Sequence, residues 1–156
     1  MRHSTQVELI ESLHEHLDRN ATCMADSVTR IPVETYTCAD RLQQERDVLF
    51  RGYPLVLALS HEIPNPGCFV TNDRAGVPVL ISRDQEGAAH AFLNVCRHRG
   101  AKVAVESKGQ VRKVFSCPYH GWSYGLDGEL VHMPHEAAFP DVDKSCHGLK
   151  ELPAVE

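Results

Sequence analysis

The feature that most constrains this chain is a pair of short segments, each of which joins one cysteine to one histidine. The segments are Cys96-Arg97-His98 and Cys117-Pro118-Tyr119-His120, and 18 residues separate them. Thiolate sulfur and imidazole nitrogen are ligands that soft and borderline metals accept. Gly100 and Gly121 follow the two pairs, and glycine allows a backbone to wrap closely around a bound group. The four side chains therefore predict one metal-binding set carried on two loops.

The grouping of the ligands distinguishes between metals. A zinc site with two cysteines and two histidines usually places Cys beside Cys and His beside His in the sequence. Here each loop supplies one of each, which favours a [2Fe-2S] cluster in which one iron has two thiolates and the other has two imidazoles. A structural zinc site stays open as the alternative.

The wider sequence resembles a known family. AFLNVCRHRGAKV and FSCPYHGWSYGLDGEL, together with EIPNPGCFVTN before them and MPHEAAFPDVDKSCHGLKELP after them, resemble the N-terminal region of the alpha subunit of Rieske non-haem iron oxygenases, also called aromatic-ring-hydroxylating oxygenases. The likeness covers residues 31–153. It implies a Rieske [2Fe-2S] cluster bound by Cys96, His98, Cys117 and His120. Respiratory Rieske proteins carry a bridging cysteine in each loop, whereas Ala101 and Tyr119 stand here, so the oxygenase type fits better.

The resemblance also implies a function. Electrons would come from a reductase or ferredoxin and pass on, through His120, to a mononuclear Fe(II) of a neighbouring alpha subunit in a homo-oligomer, a trimer. That iron is expected only in a catalytic domain beyond residue 156, so these residues are expected to hold no catalytic residue. A stand-alone Rieske-type ferredoxin that only carries electrons is the alternative.

A mononuclear iron site within these residues is not expected. Such a site needs two histidines and one carboxylate with open positions, and His132, His135 and Asp141 are the nearby candidates. However, the two histidines lie in a loop interrupted by proline, and the resemblance places the mononuclear site far downstream.

Five further residues are expected near the cluster. Arg97 and Arg99 flank the first histidine, and either solvated surface charge or partner docking would explain them. Trp122 and Tyr124 are expected to pack beneath the second loop. Tyr119 and Tyr124 are the candidate hydroxyl donors to the cluster, and few donors favour the lower part of the Rieske range of about −150 to +300 mV.

Length and charge limit other classes of function. A chain of 156 residues with 42% hydrophobic residues can bury one core without disulfides. The formal net charge is −5 and there is no basic run, so the sequence predicts no basic patch for binding nucleic acid or an anionic membrane. No long apolar stretch or signal sequence is present, so a cytoplasmic location without a membrane partner is predicted. The remaining cysteines are interpreted as reduced and incidental: Cys23, Cys38, Cys68 and Cys146.

The residue patterns predict a mostly β fold, a Rieske-type antiparallel β sandwich with two cluster-binding loops, preceded by one or two N-terminal helices. Residues 1–30 are predicted to form a helix and linker, and residues 31–156 the Rieske [2Fe-2S] domain. Helices are predicted over residues 5–19, with Thr5 and Glu8 as a capping box, and over 40–51. Strands are predicted at 55–60, 68–73, 77–83, 89–95 and 111–116, and a hairpin at 122–131 with Asp127-Gly128 at its turn.

Overall fold

Apolar residues at helical spacing near the N-terminus form helix α1 (His3–Asp18) in the computed structural model, which describes residues 1–156. The predicted helix is confirmed, but its predicted capping box is wrong. The backbone is already helical at His3, so Thr5 and Glu8 lie inside the helix, and no side chain caps its N-terminus. A second short helix, α2 (Glu34–Thr37), belongs with α1 to a compact unit that ends at Cys38. None of the helices has both the length and the apolar character that spanning a bilayer requires.

The second compact unit, Ala39–Glu156, begins with helix α3 (Ala39–Glu45), which continues as a π-helical turn over Arg46–Phe50. The helical stretch Ala39–Phe50 confirms the helix predicted over 40–51, with each end one residue earlier. The strand predicted at 55–60 is wrong, because residues 55–59 have no regular structure and pair with no strand. Val56 is 86% exposed, which shows that an apolar run does not form a strand unless a neighbour completes its hydrogen-bond ladder.

Eight strands form two antiparallel sheets, which confirms the predicted fold class. The larger sheet has the order β4-β1-β2-β3-β8 and the smaller one the order β5-β6-β7. The predicted strands at 68–73, 77–83, 89–95 and 111–116 and the predicted hairpin at 122–131 are all present. In chain order the strands are β1 (Cys68–Asn72), β2 (Val79–Arg83), β3 (Ala89–Leu93), β4 (Lys108–Gln110), β5 (Val114–Ser116), β6 (Ser123–Gly125), β7 (Leu130–His132) and β8 (Glu151–Leu152).

The core is formed by buried side chains from both sheets. Leu80 of β2 is paired with Phe92 of β3, and both side chains are fully buried. Phe69 of β1 meets Phe115 of β5 edge to face, with ring centroids 5.4 Å apart. The buried cluster that contains these side chains also includes two of the predicted ligands, Cys96 and Cys117. The core therefore reaches the base of both predicted ligand loops.

Candidate metal centre

The two predicted ligand loops close with the same pair of backbone hydrogen bonds. In the first loop, residues 96–101, the cysteine N–H donates to the carbonyl five residues later at 2.7 Å, and the glycine N–H donates back to the cysteine carbonyl at 2.9 Å. In the second loop, residues 117–122, the same bonds measure 2.8 and 3.0 Å. Gly100 and Gly121 have φ of +76° and +72°, a conformation that favours glycine. The shared spacing of four residues from Cys to Gly thus produces two matching turns.

Asn94 closes the base of the first loop by joining the residues just before it to the residues just after it. Its side chain is 1% exposed, and its Oδ1 accepts hydrogen bonds from the N–H groups of Val103 at 2.9 Å and Ala104 at 3.0 Å. Its Nδ2 donates to the carbonyl of Ala104 at 2.7 Å. The sequence reasoning missed this residue. The available signal was an amide side chain at the end of an apolar strand, two residues before a predicted ligand.

Cys96 and Cys117 form a buried pair. Each is 3% exposed, and neither forms a disulfide. Burial raises the pKa of the Cys117 thiol and the contact with Cys96 raises it further, while the N–H groups of Tyr119 and His120 act in the opposite direction. A buried thiolate is unfavourable without a compensating cation, and a bound metal supplies one.

His98 and His120 form a second pair, with ring centroids 4.7 Å apart and an interplanar angle of 71°. The Nδ1 atom of His98 is buried and is the chain's one buried side-chain nitrogen or oxygen without a hydrogen-bond partner. Burial lowers the pKa of His98, and the charges of His120 and Arg99 lower it further. Leaving such an atom unsatisfied costs about 1–3 kcal/mol, and a metal bond would satisfy it. His120 lies on the surface.

The donor set fits a two-iron cluster. The ligands are sorted like with like, a cysteine pair in the core and a histidine pair that extends to the surface. A Rieske centre requires this division, because one iron takes two thiolates and the other two imidazoles. No three His, Cys, Asp or Glu side chains are grouped as they would be around a single ion, and His132, His135 and Asp141 are not brought together in that way.

Tyr124 reaches the cysteine side of the site. It is fully buried, its Oη lies 3.2 Å from the Sγ of Cys96, and this oxygen accepts the N–H of Arg97 at 2.9 Å. Because burial raises the pKa of Tyr124, the hydroxyl keeps its proton, which can point towards the sulfur. Tyr119 is placed differently. It is 60% exposed, and its ring contacts that of His120 with a centroid distance of 3.8 Å.

The surroundings of the histidine pair are partly apolar and partly basic. Trp122 is 3% exposed and stacks on His98, while Arg97 and Arg99 are exposed and form no ion pair within the chain. A depression of about 510 Å³ opens beside the two imidazoles. It is lined by His98, His120, Trp122, Pro134, His135, Ala138 and Phe139.

Two small antiparallel sheets, with a cysteine pair and a histidine pair on loops that leave them, define a β domain built to hold an iron–sulfur cluster. Comparison with protein families agrees with this class. Residues 54–153 match the family model described as the Rieske [2Fe-2S] domain, and the chain belongs to that family.

Proteins similar to this chain are oxygenase components. The large oxygenase component of a naphthalene 1,2-dioxygenase system from Pseudomonas aeruginosa is 42% identical over 116 residues, which are 73% of this chain and 26% of the relative. The oxygenase subunit of a glycine betaine monooxygenase from Pseudomonas aeruginosa is 40% identical over 120 residues, or 76% of this chain and 28% of the relative.

A solved structure extends the likeness to nearly the whole chain. The crystal structure of naphthalene 1,2-dioxygenase from Rhodococcus sp. bound to indole matches with a TM-score of 0.71 and 28% identity, and covers 98% of this chain and 33% of that one. The chain spans about a quarter of the length of the curated relatives it matches.

Proposed function

We propose that this chain is the Rieske [2Fe-2S] domain of a ring-hydroxylating-type oxygenase alpha subunit, and so part of an oxidoreductase. It would accept electrons from a reductase or ferredoxin and pass them to a mononuclear non-haem iron outside these residues. The observation that carries the proposal is the pairing of Cys96 with Cys117 and of His98 with His120 in a domain of this family. The two thiolates would hold one iron and the two imidazoles the other.

The protein groups around the ligands suit one-electron transfer, which is the chemistry that the cluster supplies when bound. The cysteine pair is shielded by the core, and Tyr124 can donate a hydrogen bond to Cys96, which favours added negative charge on that side. His120 lies on the surface, so its imidazole is the ligand closest to a docked partner. We assign to His120 the exit of electrons towards a carboxylate of the next subunit in a homotrimer.

The oxygenase reading is preferred to a stand-alone electron carrier because the similar proteins are named as oxygenase components. One of these names describes the large oxygenase component of a dioxygenase system. A system with a distinct oxygenase component supports an electron donor that is a separate protein. The proposal places the chain in the cytoplasm, where exposed thiols such as Cys23, Cys38 and Cys146 stay reduced.

The decisive experiment is to determine the metal content and EPR spectrum of the purified protein. We expect about two irons and two acid-labile sulfides per chain and, after one-electron reduction, a Rieske-type EPR signal. These quantities separate the proposal from a structural zinc site, which would give one zinc, no sulfide and no colour. That second result would contradict the proposal.

We further propose that the electron donor docks over Arg97 and Arg99 with an acidic surface. Both guanidinium groups are exposed and unpaired, and they flank a predicted iron ligand, His98. No acidic residue lies between Cys96 and Val105, so the first loop carries only positive charge. Exposed charges of this kind steer association more than they stabilise a fold.

Reversing both charges, Arg97→Glu with Arg99→Glu, should weaken the binding of an acidic plant-type ferredoxin by about tenfold at low salt. The measurement is a titration at two ionic strengths, and the difference from wild type should shrink at high salt because salt screens exposed charges.

Arg112→Glu with Lys113→Glu is the matched control for this surface, because it also reverses two exposed charges. Arg112 is exposed, and its carbonyl accepts a hydrogen bond from Gln85 in the turn between β2 and β3. That turn is at the far end of the larger sheet from the first loop, about 17 Å along a five-residue strand. We expect the control to bind like wild type. An equal loss in the control would mean that only net charge matters and would contradict the docking assignment.

A further inference from the structure

Aromatic rings contact His98 from three directions. Trp122 lies parallel to it, with ring centroids 5.0 Å apart and an interplanar angle of 8°. Phe139 presents an edge at 5.9 Å and 87°, and His120 stands at 4.7 Å and 71°. These three rings therefore limit rotation of the imidazole about χ2, a torsion angle that otherwise takes a broad range of values.

Trp122 is itself fixed. It is 3% exposed, and Phe139 packs edge-on against it at 5.7 Å, while His147 does so at 6.4 Å. Its carbonyl accepts the N–H of Cys117, which closes the second loop. The indole plane that faces His98 is thus joined to the backbone turn that carries Cys117 and His120.

The second histidine has no comparable support. His120 is exposed, and besides His98 its aromatic neighbour is Tyr119, which is 60% exposed. The two predicted imidazole ligands therefore differ in how far the protein fixes them.

No hydrogen bond orients the buried nitrogen of His98. Its Nδ1 has no partner in the chain, so the packed rings and not a hydrogen bond set the plane of the imidazole. Turning the imidazole would drive its edge into the indole, because the two planes are nearly parallel and in contact.

We infer that Trp122 is a positioning residue, which holds the plane of the His98 ring, whereas His120 takes its final orientation from the bound cluster. The inference rests on the proposed function, since it concerns how a protein ligand is presented to iron. The role differs from that of a core filler, because it requires a flat ring over His98 and not only apolar volume.

The test compares two replacements of Trp122 in the cluster-containing protein. Trp122→Phe keeps a flat ring, whereas Trp122→Met keeps apolar bulk without a plane. The readouts are the EPR spectrum of the reduced protein and the couplings of the two histidine nitrogens measured by pulsed EPR. We expect Trp122→Phe to match wild type, and Trp122→Met to alter the coupling of one histidine only and to retain at most about half of the iron.

Phe92→Met is the matched control, since Phe92 is equally buried in the core and stacks on His90 instead of a predicted ligand. It should lower the melting temperature and leave both nitrogen couplings unchanged. Trp122→Leu is a second variant that removes the flat ring and should alter the same coupling, which allows a decision if Trp122→Met does not fold.

Unchanged couplings in Trp122→Met or Trp122→Leu, or changed couplings in Phe92→Met, would overturn the positioning role. Absence of a Rieske signal from the wild-type protein would instead be a failure of the proposed function. The two failures are therefore distinguishable.

Discussion

Cys117→Ser should give a colourless protein whose iron and sulfide contents are about tenfold or more below those of wild type. A thiolate is the ligand that an iron–sulfur cluster requires, and a serine hydroxyl in the same buried position gives up its proton far less readily. Cys117 is 3% exposed, so water cannot replace the lost ligand from bulk solvent without opening the core. Iron and acid-labile sulfide assays, with the visible spectrum, measure the effect.

Cys68→Ser is the matched control for this change. Cys68 is a half-buried thiol on β1, and it belongs to no predicted ligand loop. The control should keep the full iron and sulfide content and the wild-type spectrum. Wild-type cluster content in Cys117→Ser would remove Cys117 from the ligand set, and with it the division into a cysteine pair and a histidine pair.

The parts of the fold that could be predicted from the sequence are those set by local chemistry. Strands β1, β2 and β3 combine β-favouring residues with turn residues at both ends, and Asp127-Gly128 marks the hairpin between β6 and β7. Residues 55–60 show the limit of this reasoning, because their apolar side chains look like a strand although no strand pairs with them. Strands β4 and β8 have three and two residues, too few to show any alternation.

The predicted metal site also has features that the local sequence determines and features that depend on how the two loops pack. The Cys–His pairs and the glycine four residues after each cysteine are readable because each depends on neighbours in sequence. The contact of Tyr124 with Cys96 joins residues 28 apart, and the stack of Trp122 on His98 depends on how the two loops face each other. Sequence reasoning named these residues as neighbours of the cluster, but only the packing of the two loops determines which ligand each one touches.

Asn94→Ala should strongly destabilise the fold although it changes no predicted ligand. It removes three hydrogen bonds and leaves the N–H groups of Val103 and Ala104 and the carbonyl of Ala104 unpaired in the core. Each unpaired buried group costs about 1–3 kcal/mol, and since they share one site the sum should be roughly 3–5 kcal/mol. Thermal unfolding should show a melting temperature about 10 °C lower.

Asn72→Ala provides the comparison, because Asn72 on β1 is only half-buried. It makes two hydrogen bonds, to the carbonyl of Leu57 and from the N–H of Arg74. Its loss should cost about 1 kcal/mol, since water can replace both bonds. An effect of Asn94→Ala no larger than this would contradict the role of Asn94 in closing the base of the first loop.

Removing the metal should increase the effect of Asn94→Ala. The first loop is closed at its base by the Asn94 side chain and, in the proposed function, is also fixed to the second loop through Cys96 and His98. Two constraints on one loop are not independent, so each matters less while the other is intact. Because metal binding to such a site is coupled to folding, the difference in melting temperature between Asn94→Ala and wild type should be larger after treatment with a chelator. An equal difference with and without metal would mean that the cluster does not hold the first loop, and would count against Cys96 and His98 as ligands.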